Sequence, residues 1–189
     1  MNEGWIGAWS PGIGDPTPGG WITVLLYICA AWACYRVTRR AGHLHRTLSH
    51  HERLVWDTLL AGMVLLGINK QLDIQSALTE IARKAAHSHG WYEGRQQYQE
   101  AFLAAMPVVG ATAFAAMVVL AWGAPRSTWL ACAGTAGLIV FVAIRAASFH
   151  AVDEALSRHL AGLSLNWILE MGSLTAIIVG ATARGQSRP

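Results

Sequence analysis

The most informative residue type in this chain is a carboxylate inside an apolar stretch. Glu170 lies in LSLNWILEMGSLTAIIVG, with Asn166 one turn before it and Ser173 three residues after it on the same helical face. A carboxylate at the centre of a membrane helix costs about 2.5–3.5 kcal/mol on insertion scales. Glu170 is therefore expected to face the interior of a bundle, protonated or paired, with Arg145, Asn69 or Lys70 as its partner. A buried Glu–Arg clasp that locks the bundle and a functional site are both open on these residues.

Two further constellations could do chemistry. His150 precedes Asp153 by three residues and Glu154 by four, which puts the three side chains on neighbouring turns of a helix. Imidazole and carboxylate so placed could hold a divalent metal or form a general-base pair, and a surface histidine capping a loop is the plainer alternative. In GINKQLDIQSALTEIARKAAHSHG, Asn69, Asp73, Ser76, Glu80, Arg83 and His87 recur at three and four residues and share one helical face. Ile74, Leu78, Ile81 and Ala85 make another, so this stretch is expected to extend the second span as an amphipathic helix over about 70–89. Lys70 with Asp73 and Glu80 with Lys84 can pair locally, and a solvated, self-paired face is the alternative to a site there.

Other residues that look chemical have simpler readings. His43, His45, His50 and His51 stand among Arg39, Arg40, Arg46 and Arg53, whose field disfavours a bound cation and suits contact with anionic lipid. Asp57 follows Arg53 by four residues and pairs with it. Cys29, Cys34 and Cys132 form no CxxC and read as buried free thiols. No GxSxG, HExxH or HxxxxD arrangement occurs, and no cofactor signature emerges.

The elements that must position these groups follow from composition. Only 13% of the 189 residues are charged and 53% are hydrophobic, against about 25% charged in an average soluble domain. The apolar residues come in long blocks, at about 21–37, 54–69, 101–122, 129–149 and 160–182, so the expected fold is all-α, an integral membrane bundle of about five transmembrane helices. Residues 1–20, rich in Gly and Pro, lack the basic start and apolar run of a cleaved leader and read as an outer-face cap. Residues 183–189 read as a cytoplasmic tail. A net charge of +3 does not point to nucleic acid, because the twelve Arg and two Lys sit mostly between apolar blocks. Eight basic residues fall inside and six outside when the N-terminus is outside, which sets the expected orientation. Gly172, Ala176 and Gly180, with Ala133 and Gly137, are expected to form the close-packing faces of the last two spans.

The runs Gly12 to Thr17, Gly67 to Gln75, Gly90-Trp91-Tyr92 and Arg145 to Asp153 together resemble a group of small bacterial multi-span inner-membrane proteins with no established activity. The resemblance covers most of the chain and implies a bacterial inner-membrane location. In that group a second His often follows the one matching His150, whereas Ala151 stands here.

The expected function is a buried polar site near the outer face, built from Asn69, Lys70, Asp73, Glu80, Arg145, His150, Asp153, Asn166 and Glu170, that binds or conducts a proton, an ion or a small polar or lipid ligand. The alternatives are an accessory subunit docking through the face from Asn69 to His87 and a membrane enzyme using His150 or Asp153 on a lipid-linked substrate. The partners implied are the bilayer and either a membrane protein or a second copy of the chain.

Overall fold

The computed structural model describes residues 15–43, 48–72, 81, 95–147, 159–160 and 163–186. Among these residues it is a helical bundle of five long helices, α1 (Pro18–His43), α2 (His50–Leu72), α3 (Arg95–Leu120), α4 (Arg126–Ala147) and α5 (Leu165–Gln186). Apart from them, Leu160 and His159 pair with Leu163 and Ser164 in a two-residue antiparallel ladder. The apolar run that reads as a span from 160 is therefore helical only from Leu165, because hydropathy does not separate helix from extended pairing.

Local chemistry explains where the helices begin and stop. Pro18 occupies the first position of α1, where a missing N–H costs nothing. The Thr17 hydroxyl before it accepts from the Gly20 amide at 3.1 Å as an N-cap. Ser49 does the same for α2, accepting from the Glu52 amide at 3.1 Å. α3 ends at a turn in which Gly123 takes φ +79°, a left-handed conformation that favours glycine. The turn closes with the Ala124 amide donating to the Ala121 carbonyl at 2.9 Å, and α4 starts directly after Pro125.

The helices alternate in direction. α1 and α5 begin, and α2 ends, at one end of the bundle, called upper below; α2 and α4 begin, and α5 ends, at the lower end. α1 packs against both α2 and α5, α5 against α4, and α4 against α3. The core takes residues from every helix: Thr23, Tyr27, Ala30, Cys34 and Val37 on α1; Val55, Trp56, Leu59 and Met63 on α2; Met117 on α3; Ala131, Cys132 and Leu138 on α4; Leu174, Ile177 and Ala181 on α5. On α1, α2 and α5 these positions recur at three and four residues, the spacing of one helical face.

The seam between α4 and α5 is the closest. A Cβ at Gly134 would lie 2.6 Å from the Ser173 carbonyl, and one at Gly180 would lie 2.6 Å from the Ser127 carbonyl. Gly137 faces the Ser173 side chain, and Ala176 borders Gly134. The expected stripe is corrected at two positions: Ala133 is exposed, and Gly172 is exposed with open space around its Cα. Ala131, Gly134 and Gly137 form the α4 face instead, opposite Ser173, Ala176 and Gly180.

The outer surface is apolar. Trp21, Ile22, Leu25 and Ile28 on α1, Val64, Leu65 and Ile68 on α2, Val108, Val109 and Val119 on α3, and Val140 and Val179 on α4 and α5 are all exposed. Exposed Thr112, Thr175 and Thr182 donate their hydroxyls to carbonyls three or four residues earlier in their own helices, at 2.7–3.0 Å. Residues 16–35, 58–69, 101–125, 127–144 and 171–183 contain no Asp, Glu, Lys or Arg, so every helix has an uncharged middle. Among the described residues two helices, within Pro18–Arg39 and Arg126–Ala143, are long and apolar enough to cross a membrane by length and composition, and a shorter apolar segment runs from Val108 to Leu120.

Candidate functional site

At the upper end three helices bring charge together. Glu170 is the sixth residue of α5, about 7.5 Å along the axis from its start, so it sits nearer the rim than the mid-span position its place in the apolar run suggests. It is 3% exposed. The Lys70 ammonium, from the last turn of α2, donates to Glu170 Oε2 at 3.3 Å, and the Tyr27 hydroxyl from α1 donates to Oε1 at 3.2 Å. Asp15, just before α1, places Oδ2 3.7 Å from the same ammonium.

Asp15 is itself held by Thr17, whose hydroxyl donates to Oδ1 at 2.6 Å and whose amide donates at 3.2 Å. That hydroxyl bond, with the amide and the Lys70 charge, outweighs partial desolvation and keeps the Asp15 carboxyl below its usual range. The cluster is walled by Gly19, which lies so close to the Trp167 indole that no side chain would fit there. Trp21 and Trp167, both partly exposed, stand at this level.

The lower end holds a second carboxylate that sequence reasoning passed over. Glu52 is 5% exposed at the start of α2. Arg184, near the end of α5, donates Nε to Oε1 at 2.7 Å and Nη2 to Oε2 at 3.0 Å, a two-pronged pair. The Thr128 hydroxyl of α4 donates to Oε1 at 2.8 Å, and the Trp56 indole N–H approaches it at 3.5 Å. Burial pushes the Glu52 carboxyl up, but the Arg184 and Thr128 hydrogen bonds and the Arg184 charge override it and hold the group below the usual carboxylate range. The Glu52 hydrogen bonds raise Arg184 in turn. Around this end lie exposed Arg36, Arg39, Arg53 and Arg126, with Arg53 3.7 Å from Asp57 as its spacing suggests.

The two clusters differ in kind. Arg184 Nε and the Thr128 hydroxyl hold Glu52 at 2.7 and 2.8 Å, whereas Glu170 and Lys70 meet at 3.3 Å, beyond the roughly 2.7–2.9 Å of a tight ionic hydrogen bond. Fourteen residues of α5 separate Glu170 from Arg184, about 21 Å; eighteen residues of α2 separate Glu52 from Lys70, about 27 Å. No family model, curated protein or solved structure matches the chain.

Of the residues expected to form the site, Lys70 and Glu170 come together, and half-buried Asn69 precedes Lys70 on α2. Arg145 is carried near the upper end of α4 and Asn166 in the first turn of α5, but their side chains lie outside the described residues. Asp73, Glu80, His150 and Asp153, and the amphipathic stretch beyond Leu72 apart from Ile81, also lie outside them. No group of three or more His, Cys, Asp or Glu suited to a metal occurs among the described residues. Asp15 and Tyr27 belong to the cluster although neither stood out in the sequence. A signal for Glu52 was present: Ser49-His50-His51-Glu52 has the S-x-x-E pattern of a capping box, and Glu52, Val55, Trp56, Leu59 and Met63 fall on one face.

Proposed function

We propose that the chain is a five-span integral membrane protein whose upper cluster, Asp15, Tyr27, Lys70 and Glu170, is a site beneath the outer face that binds or conducts a small polar species: a proton, an ion or a polar or lipid ligand. The observation that carries the reading is the buried Glu170–Lys70 pair, loosely held, in a bundle whose other buried carboxylate is firmly clamped. A charge kept out of water without tight fastening is costly, and in a membrane such groups mark ligand and ion pathways.

The membrane setting is supported by the apolar outer faces, by exposed threonines that satisfy their hydroxyls within their own helices, and by the uncharged middle of every helix. The separation of the two clusters, about 21–27 Å, is close to the roughly 30 Å hydrocarbon thickness. Trp21 and Trp167 above, and Trp122 and Trp129 below, suit the two interfaces. Orientation follows from Arg36, Arg39, Arg53, Arg126 and Arg184 gathering at the lower end, which makes that end cytoplasmic and the site's end external. The bacterial inner membrane rests on the resemblance alone.

The test uses purified protein in nanodiscs and in liposomes carrying a pH-sensitive dye. Wild type is expected to show stabilisation by a monovalent cation or a headgroup analogue, or dissipation of an imposed proton gradient, that Glu170→Gln and Glu170→Leu both lose. Variants equal to wild type in folding and in every one of these readouts would remove Glu170, and with it the site.

A further inference from the structure

The upper cluster already contains an occupant, and its chemistry identifies what else fits. Lys70, two residues before the end of α2, reaches in and seats a primary ammonium between Glu170 Oε2 at 3.3 Å and Asp15 Oδ2 at 3.7 Å. Among the described residues two carboxylates, Asp15 and Glu170, face this one ammonium. The Lys70 side chain is 15% exposed while that of Glu170 is 4% exposed, so the cation has a route to water that its buried partner lacks. If Lys70 swings out, buried Glu170 loses the ion-pair partner it has among the described residues, and a replacement cation restores one.

We infer that the cluster is an exchange site for a primary ammonium group, in which Lys70 is the tethered stand-in and an external R–NH3+ takes its seat between Glu170 and Asp15. The inference rests on the binding reading of the same cluster and names its ligand class. A primary ammonium offers three N–H donors in a compact head, which suits two carboxylates approached from one side. A quaternary ammonium has none and cannot replace Lys70. The source is either a free amine or the headgroup of an aminophospholipid. For the second, Trp21 and Trp167 mark headgroup depth beside the cluster, and exposed Trp21, Ile22, Leu25 and Ile28 run down α1 from it as a bed for an acyl chain.

Lys70 and Lys84 are the only lysines in the chain, so lysine labelled with 15N at Nζ gives two side-chain signals. In wild-type protein held in phosphatidylcholine nanodiscs, n-propylammonium is expected to shift the Lys70 signal toward that of a solvated lysine, and tetramethylammonium is not. A parallel arm uses Lys70→Ala, which removes the three carbons and nitrogen that propylammonium supplies. Its melting temperature is expected to fall by several degrees and to recover with propylammonium, but not with tetramethylammonium or in the Lys70→Ala/Glu170→Gln double variant. Transfer to phosphatidylethanolamine nanodiscs separates the sources: recovery there without added amine assigns the lipid, and recovery with free amine alone assigns a soluble ligand. Equal responses to propylammonium and tetramethylammonium, or an unmoved Lys70 signal in every arm, would overturn ammonium exchange. Such a failure leaves the broader site standing if Glu170 variants still lose another ligand, and both fall if those variants are inert.

Discussion

Removing Arg184 should damage the protein more than removing the carboxylate it holds. Arg184→Met deletes both prongs on Glu52, at 2.7 and 3.0 Å, and leaves an acid whose side chain is 6% exposed with Thr128 and Trp56 as its partners among the described residues. Breaking a buried pair from one side costs about 3–5 kcal/mol, because the remaining charge is stranded out of water. Glu52→Gln strands less: the amide oxygen can still accept from Thr128, and the 16% exposed Arg184 side chain can lean toward water, so about 1–3 kcal/mol is expected. Glu52→Leu combined with Arg184→Met should recover most of the single-variant loss, since an apolar pair of similar volume has no charge to desolvate.

The assay is equilibrium unfolding by SDS titration in mixed micelles at pH 7. Asp57→Asn serves as the exposed control, because its pair with Arg53 has side chains 61% and 48% exposed and is worth about 0–1 kcal/mol. The same clasp sets a pH dependence. Glu52 sits below its ordinary value of 4.5 in the folded protein, so its contribution is fully present above that value and is lost as pH falls through the lower folded-state value. Wild type should therefore lose stability on acidification below about 4.5 more steeply than Glu52→Gln. An Arg184→Met penalty no larger than that of Asp57→Asn, or parallel acid profiles, would refute a clamped lower end.

Three further outcomes follow from the geometry. Tyr27→Phe removes one donor, at 3.2 Å, from a buried carboxylate and should cost about 1–3 kcal/mol in the same titration, without changing helix content by circular dichroism. Gly180→Val should disrupt the α4–α5 seam, where a Cβ meets the Ser127 carbonyl at 2.6 Å, whereas Gly172→Ala, with open space, should be neutral or stabilise by up to about 1 kcal/mol; equal effects would contradict the seam's assignment. If the proposed orientation holds, cysteines introduced at Asp15 and at Arg126, in a background with Cys29 replaced by Ser, will label with a membrane-impermeant maleimide in intact cells only at position 15. Labelling only at 126 would invert the orientation.

What the sequence disclosed depended on contrast with its surroundings. Glu170 stood out because it interrupts an apolar run, and Lys70 was within the short set of partners that topology allowed. Glu52 did not, since it lies among Arg46, His50, His51 and Arg53, where an acid looks like one more solvated charge. Its S-x-x-E spacing from Ser49 and the face it shares with Val55, Trp56 and Leu59 distinguish it. Arg184 was legible as a topology signal and not as a ligand of Glu52, because nothing local links residues 132 positions apart. Tyr27 was hidden by its own amphipathic character, an apolar ring in an apolar run with its polar tip turned to Glu170. Of the small-residue faces, Gly137, Ala176 and Gly180 lie at the seam as expected, while Ala133 and Gly172 are off it by about a third of a turn, their neighbours Gly134 and Ser173 meeting there instead.

The charges on α2 and α5 are arranged in opposite order, acid below and base above on one, base below and acid above on the other. α2 and α5 share little backbone contact, with α1 packed against both, so their mutual alignment is set at the two rims. Turning either helix end for end would confront Glu52 with Glu170 and Arg184 with Lys70, and a slip of one turn, about 5.4 Å, would unfasten both ends at once. The mid-sections bury aliphatic Leu59, Met63, Leu174 and Ile177, which carry no charge to set a register, and the crossed charges supply one. The two ion pairs thus fix the register of α2 against α5 electrostatically, near opposite ends of both helices.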